Sequence, residues 1–161
     1  MTFTRYAIYF APPAGAEWAK FATSWLGWDM LTGTKVAHPA VTGLPDDLAN
    51  LTETPRKYGL HGTIKPPFRL AQECTANDLF AACKALASTC APVTLDGLDL
   101  TRLGRFLALC PDGDTTTLNA LAARCVTELD QFRAPAEVDE LARRRSARLS
   151  QSQDQNLSLI H

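Results

Sequence analysis

In the string YGLHGTIKPPF, residues 58–68, an imidazole, a hydroxyl and an ammonium recur at every second position: His61, Thr63 and Lys65. Alternate side chains of a strand share a face. A strand over 58–64 therefore presents these three together and sends Leu60, Gly62 and Ile64 to an apolar side. An imidazole with an unperturbed pKa of about 6.5 takes or gives a proton near neutrality. A hydroxyl two residues on, about 7 Å along the same face, bonds a phosphoryl oxygen, and Lys65 adds positive charge where negative charge builds up. Gly59 is expected to leave open space beside them. The chemistry this suits is the handling of a small anion, with His61 moving the proton. H-x-T alone is short enough to arise by chance. On these residues alone the ordinary reading, a strand histidine satisfied by a neighbour, is slightly the stronger.

Other side chains are candidates to support such a site. Tyr9 and Arg5 share a face of the first predicted strand and would flank a cleft, or serve core and edge. Arg102 and Arg105 bracket Gly104 between two predicted strands and suit bidentate phosphate binding, against the commoner solvated arginine. Arg143, Arg144, Arg145 and Arg148 read as a solvated helix face, with a polyanion site as the rival. His38, before Pro39, reads as a solvated loop histidine. The five cysteines, Cys74, Cys83, Cys90, Cys110 and Cys125, form no C-x-x-C pair. Their odd number, without a secretion signal, argues against a disulfide framework, and no Cys/His cluster suggests zinc. No metal and no cofactor is called for.

These residues need elements to position them. RYAIYF (5–10) reads as a strand ended by Pro12-Pro13. AEWAKFATSWLGW reads as a helix stopped at Gly27, with Trp18, Phe21, Ala22, Trp25 and Leu26 on a core stripe. Residues 29–57, broken by Gly33, Pro39, Gly43, Pro45 and Pro55, read as a long loop. The strand over 58–64 is expected to be cut off by Pro66-Pro67. TANDLFAACKALASTC (75–90) carries a capping box, Thr75 with Asp78, and a stripe of Leu79, Phe80, Cys83, Leu86 and Ala87. Two strands follow, at about 93–101 and 105–110, joined near Gly104 and closed by Pro-Asp-Gly. A helix then buries Leu118, Leu121, Ala122, Cys125, Leu129 and Phe132, and a short helix is expected after Pro135. The order supplies too few crossovers for a parallel sheet. The fold class is α+β, helices covering mixed or antiparallel sheets, in one domain over residues 1–161.

Bulk composition narrows the partners. Sixteen basic residues nearly balance seventeen acidic ones, for a net charge of −1. No global field recruits nucleic acid or an anionic membrane. No apolar run approaches the ~20 residues of a membrane span, and a cytoplasmic location is the default. The oligomeric state is left open.

Over longer strings, YGLHGTIKPPFRL together with RYAIYFAPP, SWLGWD and RLGRFLALCP resembles the phosphonate-metabolism protein family (DUF1045-like) of the 2H phosphoesterase superfamily. The resemblance runs over essentially the whole chain, and the H-G-T-φ-K-x-P-F core is far more specific than H-x-T. It implies a two-lobed α+β sandwich in which each lobe brings one H-x-T/S motif to a shared cleft. It also implies metal-independent cleavage of a small cyclic or linear phosphodiester, one histidine as base and one as acid. His61 and Thr63 match the first motif, with Lys65, Arg105, Arg102 and Tyr9 as substrate-binding residues. A second H-x-T/S is missing: His38 is followed by Pro39-Ala40, and His161 is the last residue. Two explanations compete, a chain cut short of that motif or a C-terminal lobe missing by design with activity lost; the first is the expectation, and this chain is expected to be inactive without the second motif. Two rivals stand beside this reading, a non-catalytic module gripping a phosphorylated ligand and the processing of RNA 2′,3′-cyclic phosphates.

Overall fold

Aromatic and β-branched residues suit a pleated, half-buried surface, and they build β1 (Tyr6–Phe10), one residue shorter than the sequence suggests. The computed structural model describes residues 4–104 and 106–136. Its contacts divide the chain into two units, Ala7–Pro66, and Met1–Tyr6 with Pro67–His161. The architecture is mixed α+β, with three two-stranded sheets among the described residues.

In the unit of residues 7–66, α1 (Glu17–Leu26) ends where expected. Gly27 adopts the left-handed conformation (φ 68°) and returns its N–H to the Ser24 and Thr23 carbonyls, a closure that glycine makes at no steric cost. Two short strands, β2 (Trp28–Asp29) and β3 (Thr34–Lys35), pair antiparallel with Trp28 opposite Lys35. Short helices α2 (Leu48–Leu51) and α3 (Glu53–Arg56) follow, so the expected long loop holds four small elements. Then comes β4 (Gly62–Phe68), hydrogen-bonded to β1. It starts later than expected and runs through both prolines rather than stopping at them. A two-stranded sheet leaves each strand one unpaired edge, toward which one of two successive prolines turns its missing N–H without costing a ladder bond.

Ala19, Leu26, Leu48 and Thr52 are buried in this unit. The core stripe expected on α1 is corrected: Trp18 is 40% and Phe21 60% exposed. Each covers part of its apolar surface with a neighbouring ring, Trp18 with Phe10 at 6.4 Å and Phe21 with Trp25 at 5.9 Å. Arg56 ties the helices together. Its Nε donates to the Leu26 carbonyl at 2.9 Å, and its Nη2 donates to Thr52 Oγ1 at 3.0 Å and to the Ala49 carbonyl. A cation here meets the orphan carbonyls and negative end of α1.

In the other unit, α4 (Ala76–Ser88) opens on the predicted capping box, Thr75 Oγ1 accepting from the Asp78 N–H while the Asp78 carboxylate accepts from the Thr75 N–H. Leu79 and Leu86 are buried, but Phe80, expected inward, is 67% exposed. The strands β5 (Gly97–Leu103) and β6 (Phe106–Asp112) form an antiparallel hairpin in which Leu100 faces Leu109 and Arg102 faces Leu107. Then α5 (Thr116–Glu128) passes into a 3-10 turn at Asp130–Phe132. Cys125, Leu129 and Phe132 are buried as expected. Arg124 stitches α5 to the end of α4, donating to Thr89 Oγ1 at 2.9 Å and Cys90 Sγ at 3.1 Å while pairing with Glu128 at 2.6 Å. The five cysteines are free thiols. No helix among the described residues is long and apolar enough to cross a membrane. The short helix expected after Pro135 lies outside the described residues.

Candidate functional site

The chain enters β4 through a tight turn. Gly59 is buried and left-handed (φ 69°), and a Cβ there would stand 2.7 Å from Met30 Cβ. The space beside His61 that the sequence reading left open on this side is filled by methionine. The Gly59 carbonyl lies 3.1 Å from His61 Nδ1. A carbonyl only accepts, so Nδ1 carries the proton of the neutral ring and Nε2 carries the lone pair. The half-buried imidazole packs on Tyr9 of β1, ring centroids 4.1 Å apart at 35°, with Tyr58 at 6.3 Å. Tyr9 was singled out in the sequence. Tyr58 was not, because its contribution depends on the turn at Gly59.

Two histidines occupy this unit, and their hydrogen bonds separate them. His38, expected in solvent, is half-buried: its Nδ1 lies 3.0 Å from the Trp25 carbonyl and its Nε2 3.4 Å from Arg56 Nη2. Both ring nitrogens serve the end of α1. His61 spends only Nδ1 on the protein, and its Nε2 has no hydrogen-bond partner among the described residues. That nitrogen is the one available to a ligand.

His61, expected inside the strand, stands just before β4, which carries Thr63 and Lys65, and the three polar side chains are not equally open. Thr63 is exposed, whereas Lys65 is only 3% exposed and makes interactions within the protein. A buried ammonium with partners supplies field rather than a mobile donor. Arg102, in the other unit, is exposed at the hairpin tip and donates through Nε to the Gly104 carbonyl at 2.8 Å. Arg5 is exposed and engaged. Arg105, Arg143, Arg144, Arg145, Arg148 and His161 lie outside the described residues. No group of three or more His, Cys, Asp or Glu among the described residues is arranged to hold a metal ion.

The fold and this site define a mixed α+β protein in which, among the described residues, the His61 Nε2 without a protein partner precedes a strand bearing a hydroxyl. The chain belongs to the family described as "Protein of unknown function (DUF1045)", whose model matches residues 63–159. It is 38% identical over 151 residues to a protein of Janthinobacterium sp. (strain Marseille) named ribose 1,5-bisphosphate phosphokinase PhnN, covering 93% of this chain and 33% of that protein. It is 32% identical over 139 residues to a protein of the same name from Laribacter hongkongensis (strain HLHK9), covering 82% of this chain and 32% of that protein. The chain thus spans about a third of the length of these relatives. No solved structure matches it.

These names correct the functional expectation. Both relatives are named for a phosphokinase, which passes a phosphoryl group to an acceptor, and neither for a hydrolase. The reading of the chain as a metal-independent phosphoesterase acting on cyclic phosphodiesters does not stand against them.

Proposed function

We propose that this chain is the part of a phosphonate-metabolism phosphokinase that grips the phosphorylated sugar, with ribose 1,5-bisphosphate, taken from the relatives' name, as the ligand. One observation carries the proposal: His61 is held by the Gly59 carbonyl and the Tyr9 ring with its Nε2 unspent. Protonated, that nitrogen donates to a phosphoryl oxygen, and the exposed Thr63 hydroxyl, two residues on in β4, supplies a second donor. Hydrogen bonds to charged groups contribute about 1.5–3 kcal/mol each, enough to orient a sugar phosphate.

The 161 residues contain no G-x-x-x-x-G-K-[ST] string, the loop whose backbone N–H groups cradle nucleotide phosphates. The proposal therefore gives nucleotide binding and phosphoryl transfer to the two-thirds of the relatives that this chain does not span. The test is calorimetric titration of the chain with ribose 1,5-bisphosphate. The wild type should bind, and His61→Ala should weaken binding by about tenfold or more, equivalent to about 1.4 kcal/mol. Thr63→Val should weaken it by a smaller factor. Unchanged affinity in His61→Ala, with the fold intact by circular dichroism, overturns the proposal.

A further inference from the structure

Within residues 7–66 a cleft of about 270 Å³ opens between the segment after β1, one face of α1 and the β2–β3 ribbon. Its apolar wall includes Trp28, Met30, Val36 and Leu60, and its polar side chains are Lys20, Thr23 and Asp29. His61 does not line it. The volume lies just under the range usual for small-ligand sites.

The polar groups are arranged unusually. Lys20 is exposed and makes no ion pair or hydrogen bond among the described residues, although Asp29 lines the same cleft. Asp29 accepts from the Leu31 N–H at 2.8 Å and from Thr32 Oγ1 at 2.8 Å. Those bonds, led by the Leu31 N–H, hold its carboxyl below the usual range, so it stays anionic. An ionised carboxylate has about four acceptor positions, and these bonds with the longer one from the Thr32 N–H leave one unused. Thr23 is half-buried in α1, one turn on from Lys20, and its hydroxyl makes no hydrogen bond among the described residues. A helical threonine commonly bonds back to the carbonyl four residues before it. Here the hydroxyl is left over for something else.

A cationic and an anionic residue therefore line one small cleft without pairing, beside a hydroxyl with no protein partner among the described residues and an apolar wall. We propose that this cleft is a binding site for a small zwitterion with an apolar body, an α-amino acid of leucine size. The ligand's carboxylate meets Lys20 and Thr23, its ammonium meets Asp29, and its side chain lies along Trp28, Met30, Val36 and Leu60. A plain anion would leave Asp29 uncompensated and a plain amine would leave Lys20 so; the zwitterion satisfies both. The site stands apart from sugar-phosphate binding at His61 and does not depend on it.

The test titrates the chain with L-leucine, 4-methylpentanoate and isopentylamine, following Trp28 and the α1 amides by heteronuclear NMR. L-leucine should bind with a Kd of about 1 mM or tighter, and each single-charge analogue should bind more weakly by up to about fivefold, the size expected for one exposed ion pair. Lys20→Met should weaken L-leucine and 4-methylpentanoate but leave isopentylamine unchanged, and Thr23→Val should follow the same pattern. His61→Ala should leave all three affinities as they are. Equal binding of the three compounds, or no shift at the cleft with L-leucine, overturns the proposal, whatever the ribose 1,5-bisphosphate titration shows.

Discussion

Substituting Gly59 by alanine tests the turn that sets His61, and Gly33→Ala supplies its control. Both glycines are left-handed, φ 69° and 67°. A side chain in that conformation costs about 1–2 kcal/mol, and alanine returns about 0.4–1 kcal/mol at either position by restricting the unfolded chain. These contributions cancel between the two variants. What differs is space: a Cβ at Gly33 meets nothing within 4 Å, whereas one at Gly59 would stand 2.7 Å from Met30 Cβ and 2.9 Å from its Sδ. The near atom is the root of the methionine side chain, so a rotamer change cannot relieve the contact and backbone must shift. Overpacking of this kind adds about 1–3 kcal/mol. With a urea m-value of about 2 kcal/mol/M, the midpoint of Gly59→Ala should fall about 0.5–1.5 M below that of Gly33→Ala. The Gly59 carbonyl also holds His61 Nδ1, so ribose 1,5-bisphosphate binding should weaken in Gly59→Ala alone. Equal midpoints for the two variants would refute the steric account, and equal ligand affinities would refute the coupling of the turn to the imidazole.

Two further outcomes are expected from groups away from the site. Thr75→Ala should destabilise the unit containing α4 by about 1 kcal/mol, read as a lower urea midpoint at pH 7, and no change there would mean the capping box is not formed in solution. Hydrogen bonds hold the Asp29, Asp78 and Asp114 carboxyls below the usual range, led by the Leu31 N–H, the Thr75 hydroxyl and the Thr116 hydroxyl respectively. A depressed carboxyl stabilises fully above its unfolded pKa of about 3.9 and loses that contribution as pH falls through its folded value. Stability should therefore hold down to about pH 4 and decline below it, and a thermal scan showing decline already at neutral pH would contradict this. Burial pushes the Cys83 and Cys125 thiols up, Cys125 also through the nearby Cys90 and Cys83. Because the thiolate is the reactive form, both should react with Ellman's reagent after Cys74, Cys90 and Cys110, as followed by peptide mass spectrometry. Cys125 reacting first would oppose that order.

Local chemistry was legible where it is self-contained. T-x-x-D before an apolar run specified the Thr75 box, and Gly27 marked the end of α1, because both signals close within a few residues. Burial was less legible. Trp18, Phe21 and Phe80 lie at helical spacings that match a core stripe, yet none of them is buried. Periodicity says which residues share a face, not what stands against it. The prolines of β4 misled for a related reason. Proline ends a strand only where its missing N–H would break a ladder, and a strand at a sheet edge has no ladder on one side, which accommodates one of two successive prolines. Edge position is a property of the pairing with β1, some fifty residues away in the chain.

The histidines show the same division at the level of chemistry. Spacing nominated His61 through the hydroxyl at Thr63, and left His38 as an unremarkable loop residue. What separates them is the fate of the second ring nitrogen, set by residues far off in sequence. Nε2 of His38 faces Arg56, which in turn caps α1 and joins α2 and α3, so removing that imidazole disturbs a helix junction. Nε2 of His61 faces no protein partner among the described residues, while Nδ1 and the Tyr9 ring fix its plane. His38→Ala should consequently lower the urea midpoint and leave the residual folded protein able to bind the sugar phosphate. His61→Ala should do the reverse, keeping stability and losing the ligand. A ring that contributes equally to both measurements at either position would mean that the free nitrogen does not mark the binding histidine.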